Sequence, residues 1–216
     1  MAWRNLWRNW RRSGITVAAM TLALIVELLY SGLVTGMVSG MEDDVTEIEL
    51  GDLQIIKQGY FSKPSLYETV TDHERILTAL DEAGYAAAPR LFSGGLAASG
   101  EASSGVAFVG LDPVRDARTL ALSTAVGEGE WLSPDLDDGT NDDPLGVVIG
   151  KGLSRTLGAG LGDEVVVLSQ AADGSMANEL CHVRGILKSV AASMDRGTIL
   201  MPESTFRELM VLPDGG

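Results

Sequence analysis

The stretch GITVAAMTLALIVELLYSGLVTGMVSGM, residues 14–41, decides how the rest of the chain is read, and its only charge is Glu27. As a helix at about 1.5 Å per residue it would reach roughly 42 Å, more than the ~30 Å hydrocarbon core of a bilayer. A membrane anchor, a cleaved signal and a buried soluble helix all remain to be weighed. The apolar run continues past Glu27 to Val38, beyond the core length of a typical signal peptide. The small residues Val38-Ser39-Gly40 offer only a weak cleavage site. The expectation is a retained transmembrane helix over 14–41.

Charge gives that helix a direction. The net charge of the chain is −14, yet residues 1–13 hold four Arg and no acid, whereas residues 42–216 hold 12 Lys and Arg against 29 Asp and Glu. Basic flanks are retained in the cytoplasm, which places the head inside and the acidic segment outside, in the periplasm of a bacterial inner membrane. The acidity argues against nucleic acid and against an anionic membrane surface as partners of that segment. With one cysteine, Cys181, no intrachain disulfide is available.

At helical spacing Trp3, Trp7 and Trp10 share one face, and Arg4, Arg8, Arg11 and Arg12 cluster beside it. Residues 1–13 are therefore expected to form an interfacial amphipathic helix on the inner leaflet of the bilayer, turning into the span near Ser13-Gly14. A plain topology signal explains the arginines but not the tryptophan spacing. Glu27, near the middle of the span, would cost at least about 2.5–3.5 kcal/mol if ionised against lipid, so it should face protein or water. Whether it serves packing or mechanism stays open. Gly32 and Gly36, four apart, would permit close approach of another helix.

Residues 42–216 alternate strand and helix signals, and the expectation is an α+β domain. A charged helix is expected over 41–50, a strand over 52–57, and a helix over 72–83 capped by Thr71 or Asp72 and stopped by Gly84. A strand is expected near 85–91, a strand, turn and strand edge over 92–104, and a buried strand over 106–111, closed by Asp112-Pro113. Residues 119–144 read as loop. A strand at 147–149, a helix at 151–157, a hairpin from 164 to 188 turning at 171–175, a strand at 198–201 and a helix opened by Pro202 complete the pattern.

No catalytic, cofactor or metal site emerges from these residues. Asp135–Asp143 is acidic, but a calcium loop starting at Asp135 would need Gly at Thr140 and Glu at Gly146. Gly146–Gly152 lacks both the phosphate-loop spacing and its Ser or Thr. Cys181 and His182 are neighbours on one strand, so they point to opposite faces and cannot share a metal.

The order of features nevertheless resembles a known family. Ala2-Trp-Arg-Asn-Leu-Trp-Arg-Asn-Trp-Arg-Arg12 and the span are followed by Gly51-Asp-Leu-Gln-Ile55, Gly59-Tyr60 and Phe108-Val-Gly-Leu-Asp-Pro113. Val148-Ile-Gly-Lys-Gly-Leu153, Gly162-Asp163, Val183-Arg-Gly-Ile186 and Asp195-Arg-Gly-Thr-Ile-Leu-Met-Pro202 complete it. Together they are similar to the FtsX-type ABC transporter permeases, the class of MacB, LolC and LolE. The resemblance implies an interfacial helix, a first span and a periplasmic core domain of two α+β lobes with mixed sheets and short helices, roughly 51–118 and 145–210 here. It also implies three further spans that are not in this sequence, so the chain reads as a fragment. As implied partners it brings a separate cytoplasmic ATPase, a second permease copy or homologue, and a periplasmic lipoprotein or partner protein. The permease itself is non-catalytic and carries no cofactor. The competing expectation is a single-span, membrane-anchored periplasmic binding or sensor module.

Overall fold

The protein, seen in a computed structural model, is described over residues 10–44, 51–60, 69–134, 145–188 and 192–212. It divides into two compact units, Met1–Asp43 and Asp44–Gly216. The first is built on one helix, α1 (Trp10–Asp44). The break expected near Ser13-Gly14 does not occur. Helix α1 runs through both residues, and the Thr16 hydroxyl donates to the Arg12 carbonyl across them (3.0 Å). A single glycine costs a helix only about 1 kcal/mol, too little to stop a long apolar run.

Among the described residues the second unit is organised by seven strands: β1 (Arg90–Ser99), β2 (Ala102–Leu111), β3 (Val126–Gly129), β4 (Leu145–Ile149), β5 (Glu164–Gln170), β6 (Met176–Leu187) and β7 (Thr198–Pro202). They form one sheet in the order β3-β6-β4-β7-β2-β1-β5, and β5 pairs back onto β6, so the sheet closes on itself. Strand β6 makes the closure possible by its length. Its first half pairs with β5, residues 181–186 lie parallel to β4, and its last residues pair with β3. The other parallel pair is β2 with β7, joining Ala107 to Thr198 and Leu111 to Pro202. The α+β class holds. The segments expected as lobes both place strands in this single sheet, β2 beside β7.

Alternation sorts the side chains between the inside and outside of the ring. Val106 and Phe108 of β2, Val147 and Ile149 of β4, Val165 and Val167 of β5, Cys181 and Val183 of β6, and Ile199 and Met201 of β7 meet in the interior. Helix α4 (Lys151–Leu157) adds Leu153 and Leu157 to that cluster, and α6 (Glu203–Leu209) adds Phe206. The intervening residues Val109, Leu111, Val148, Leu187 and Leu200 face outward. A second cluster covers them with Leu122 and Ala125 of a 3-10 helix (Ala121–Ala125), Leu132, and Met194 of helix α5 (Ala192–Gly197).

Several expectations are corrected. No strand forms over 52–57; Leu53 is 92% exposed, and its apolar neighbours meet no strand edge that would pair them. Helix α2 (His73–Glu82) starts where expected, but Asp72 caps it from a left-handed conformation (φ 57°) without a side-chain cap. Strand β1 begins at Arg90, after coil from Tyr85. Asp112-Pro113, expected as a closing turn, instead starts helix α3 (Pro113–Thr119). Asp112 Oδ1 accepts from Val114 N (2.9 Å) and Arg115 N (3.0 Å), and proline takes the first helical position, where its missing N–H is harmless. The expected loop over 119–144 contains the 3-10 helix and β3. Residues 45–50 and the acidic run 135–143 lie outside the described residues.

Val211, just past α6, sits at φ 50°. Its N–H and that of Leu212 reach back to Glu208 and Arg207, a helix-closing turn that glycine normally fills. A left-handed conformation costs an L-residue about 1–2 kcal/mol. Val211→Gly is expected to raise stability by about 1 kcal/mol, read as the midpoint shift in urea. No gain, or a loss, would mean that the half-exposed valine side chain matters more than its backbone.

Candidate functional site

The residues expected to contact the membrane fall on α1 and before it. Trp3, Arg4, Trp7 and Arg8 lie outside the described residues. Trp10, Arg11 and Arg12 form the first turn of α1, with the Arg11 guanidinium 5.8 Å from the centre of the Trp10 ring. They therefore continue into the span helix itself. Residues 10–40 are long and apolar enough to cross a membrane by length and composition. Glu27 is exposed in the middle of this helix, and a Cβ at Gly32 or Gly36 would meet nothing within 4 Å. At about 100° per residue Gly32 and Gly36 stand roughly 140° and 180° from Glu27, so the carboxyl and the small residues occupy opposite sides of the helix.

In the second unit, no group of three or more His, Cys, Asp or Glu among the described residues could hold a metal. Cys181 lies inside the ring, where burial, with a smaller contribution from the Glu179 carboxylate, pushes its thiol up to about 12. His182, the next residue, points the other way, with Nε2 3.9 Å from Glu164 Oε1. Because the folded thiol holds its proton above the ordinary value of 9.0, folding gains from Cys181 at neutral pH. That gain is lost as pH rises from about 9 towards 12. Unfolding free energy should fall over this window by up to about 1.4 kcal/mol per pH unit more in the native chain than in Cys181→Ala. Equal slopes for the two chains would contradict the burial. The native thiol should also react slowly with a disulfide reagent at pH 8 until urea is added.

One buried ion pair joins the first strand to α3. Arg90 donates from Nε to Asp116 Oδ2 (2.8 Å) and from Nη2 to Oδ1 (3.1 Å), and the aspartate is fully buried. Beside it Arg115 reaches Asp81 of α2 (3.0 Å). These contacts use the carboxylates structurally.

The remaining feature is the outward side of β1, where large apolar side chains stand exposed. On β1, Phe92, Gly94, Leu96 and Ala98 face outward, with Phe92 51% and Leu96 52% exposed. Leu96 pairs with Leu168, and Ala98 with Val166, which in turn pairs with Leu180 of β6. Gly94 and Gly105 sit on the same side, opposite Ala107 and Leu96. A Cβ on Gly105 would meet nothing within 4 Å, and one on Gly94 only the Val106 carbonyl at 3.9 Å. The result is an exposed stretch of sheet on which glycine and alanine alternate with apolar side chains. The strand, turn and strand edge expected over 92–104 do not by themselves show which side of β1 is left exposed. The signal was the outward-facing alternation Phe92, Gly94, Leu96, Ala98 within a strand.

Comparison with known proteins then gives the family. No curated protein matches the chain in sequence. Among solved structures it is similar to the periplasmic region of MacB from Actinobacillus actinomycetemcomitans, at 16% identity and a TM-score of 0.49. That match covers 73% of this chain and 65% of the other, so the chain spans less than two thirds of that region. It is also similar to the extracellular domain of the noncanonic ABC-type transporter YknZ from Gram-positive bacteria. There the identity is 12% and the TM-score 0.46, over 71% of this chain and 72% of that one. The profile of the MacB-like periplasmic core domain matches residues 13–216, from the foot of the apolar helix to the last residue. The chain therefore belongs to the MacB-like periplasmic core domain family, whose members are membrane-anchored extracytoplasmic domains of ABC-transporter-type proteins.

Proposed function

We propose that the chain is a permease subunit of an FtsX-type ABC transporter, anchored by α1 with its basic head in the cytoplasm and its closed-sheet domain in the periplasm. ATP is hydrolysed by a separate cytoplasmic ATPase, and the domain does the periplasmic work, such as releasing a lipoprotein or exporting a hydrophobic substrate. The observation that carries this reading is the family match over residues 13–216. The charge split supports the orientation, since residues 1–13 hold four arginines and no acid while residues 42–216 carry 29 acids against 12 bases. A second permease copy, or a homologue, completes the assembly.

Glu27 and the Gly32/Gly36 side give α1 two opposite faces on which other helices can pack, one through a hydrogen-bonding carboxyl and one through close approach. Glu27→Leu should weaken helix association in membranes by about 1–2 kcal/mol, measured by energy transfer between labelled chains. Unchanged association would remove the carboxyl from the interface.

The test of function is co-purification from native membranes with an ABC ATPase, together with protease protection of the acidic domain in inverted vesicles. Association with an ATPase whose activity rises in the complex is the expected result. A protected domain with no associated ATPase would leave the single-span binding module as the reading.

A further inference from the structure

We propose that the far half of the β1–β2 hairpin, residues 96–105, is a gate in the wall of the ring. It swings away from β5 and opens the interior at Cys181 while the rest of the sheet stays folded. Strand pairing sets the limits of this arm. Strand β7 accompanies β2 only from Ala107 to Leu111, so among the described residues 102–106 pair with β1 alone. On its other edge β1 meets β5 in three residue pairs, Leu96–Leu168, Ala97–Val167 and Ala98–Val166. Two serine hydroxyls clasp the ends of that seam. Ser99 Oγ donates to the Glu164 carbonyl (3.0 Å), and Ser169 Oγ donates to the Gly94 carbonyl (2.8 Å).

Side chains add little to the hold on the arm. Its inward residues are Ala97, which is buried, and Ser99, Ala102 and Ser104, which are half-buried, whereas the next inward positions of β2 carry Val106 and Phe108. A segment with so little buried apolar area opens at a lower free energy than the core around it. The seam between β4 and β7 has two residue pairs, but Ile149 and Ile199 pack on its inner side and Val148 and Leu200 on its outer side. On the outer side of the β1–β5 seam, Leu96 and Val166 stay exposed. Gly94 and Gly105 stand at the root of the arm, where the absence of a Cβ lets the backbone turn. The ladders set Ser99 level with Val165, whose partner is Cys181, so lifting the arm uncovers the one thiol of the chain.

The experiment uses the full chain in detergent micelles, with Cys181 as the reporter. A disulfide reagent at pH 8, in the range where the rate is proportional to its concentration, measures how often the thiol is uncovered. In the native chain labelling should be at least about tenfold faster than the global unfolding equilibrium allows, and nearly independent of urea below the unfolding transition. Ser99→Ala and Ser169→Ala should each speed it at least about twofold, since each removes a hydrogen bond that the closed arm makes. Val148→Ala, in the β4–β7 seam, should lower the urea midpoint and leave the labelling rate unchanged. Amide hydrogen exchange of the native chain needs no variant. Residues 96–105 should exchange by a urea-independent route, and β4 and β7 only with global unfolding. A labelling rate that follows global stability through all three variants overturns the gate, as do serine variants that label at the native rate. Arm amides protected as fully as those of β7 overturn it too. None of these outcomes depends on an associated ATPase, so the gate and the proposed function stand or fall separately.

Discussion

Asp116→Ala is expected to destabilise the sheet domain by about 3–5 kcal/mol, the usual effect of removing one partner from a buried ion pair. The carboxylate is fully buried, and the Arg90 side chain it binds is only 12% exposed, so the variant leaves a guanidinium in a site that water barely reaches. For a domain of this size the melting temperature should fall by roughly 10 °C. The double variant Arg90→Met, Asp116→Leu should recover most of that loss, since two apolar side chains of similar volume need no partner. A single-variant loss below about 1 kcal/mol would mean that solvent screens the pair. Failure of the double variant to recover would mean that Arg90 or Asp116 holds the β1–α3 junction through further contacts.

Gly95→Ala is the second large effect, at about 3 kcal/mol of destabilisation, the upper part of the range for overfilling a packed core. A Cβ there would stand 2.2 Å from the Leu168 carbonyl oxygen and 2.6 Å from the Phe108 ring. The carbonyl belongs to the strand that closes the ring, so relief requires β1 and β5 to part. Gly94→Ala, one residue away, should be neutral or stabilising by up to about 1 kcal/mol, because its Cβ points into open space. Urea unfolding of the two variants side by side gives the comparison directly. Similar effects for both would contradict the assignment of inside and outside on β1.

That pair also shows where sequence reading stopped. Local chemistry was plain: the helix expected over 151–157 is found as Lys151–Leu157, and the hairpin turning at 171–175 joins β5 to β6. In that turn Asp173 accepts from the Ser175 amide and hydroxyl, which holds its carboxyl below the usual range. Long-range pairing was not legible. Alternation says which residues share a face of a strand, but it says neither which strand lies alongside nor which face is inside. Hence 52–57, with strand composition but no partner, was overread, and β3, short and carrying Glu128 between glycines, was passed over. The long apolar helix followed from composition alone. The exposed outward side of β1 needed three strands in register before it could be seen.

The place of β7 in the sheet has a consequence for how the domain is made. It lies between β4 and β2, and its partner residue Ala107 precedes Thr198 by roughly ninety positions. Until Thr198–Pro202 has been synthesised, β2 and β4 present open edges to each other and the ring cannot close. Contacts so distant in sequence form slowly, because the entropy of closing the loop is lost before the pairing compensates. The growing chain is therefore open along two strands until Thr198–Pro202 has been made, and for that interval it depends on whatever shields unpaired edges from one another.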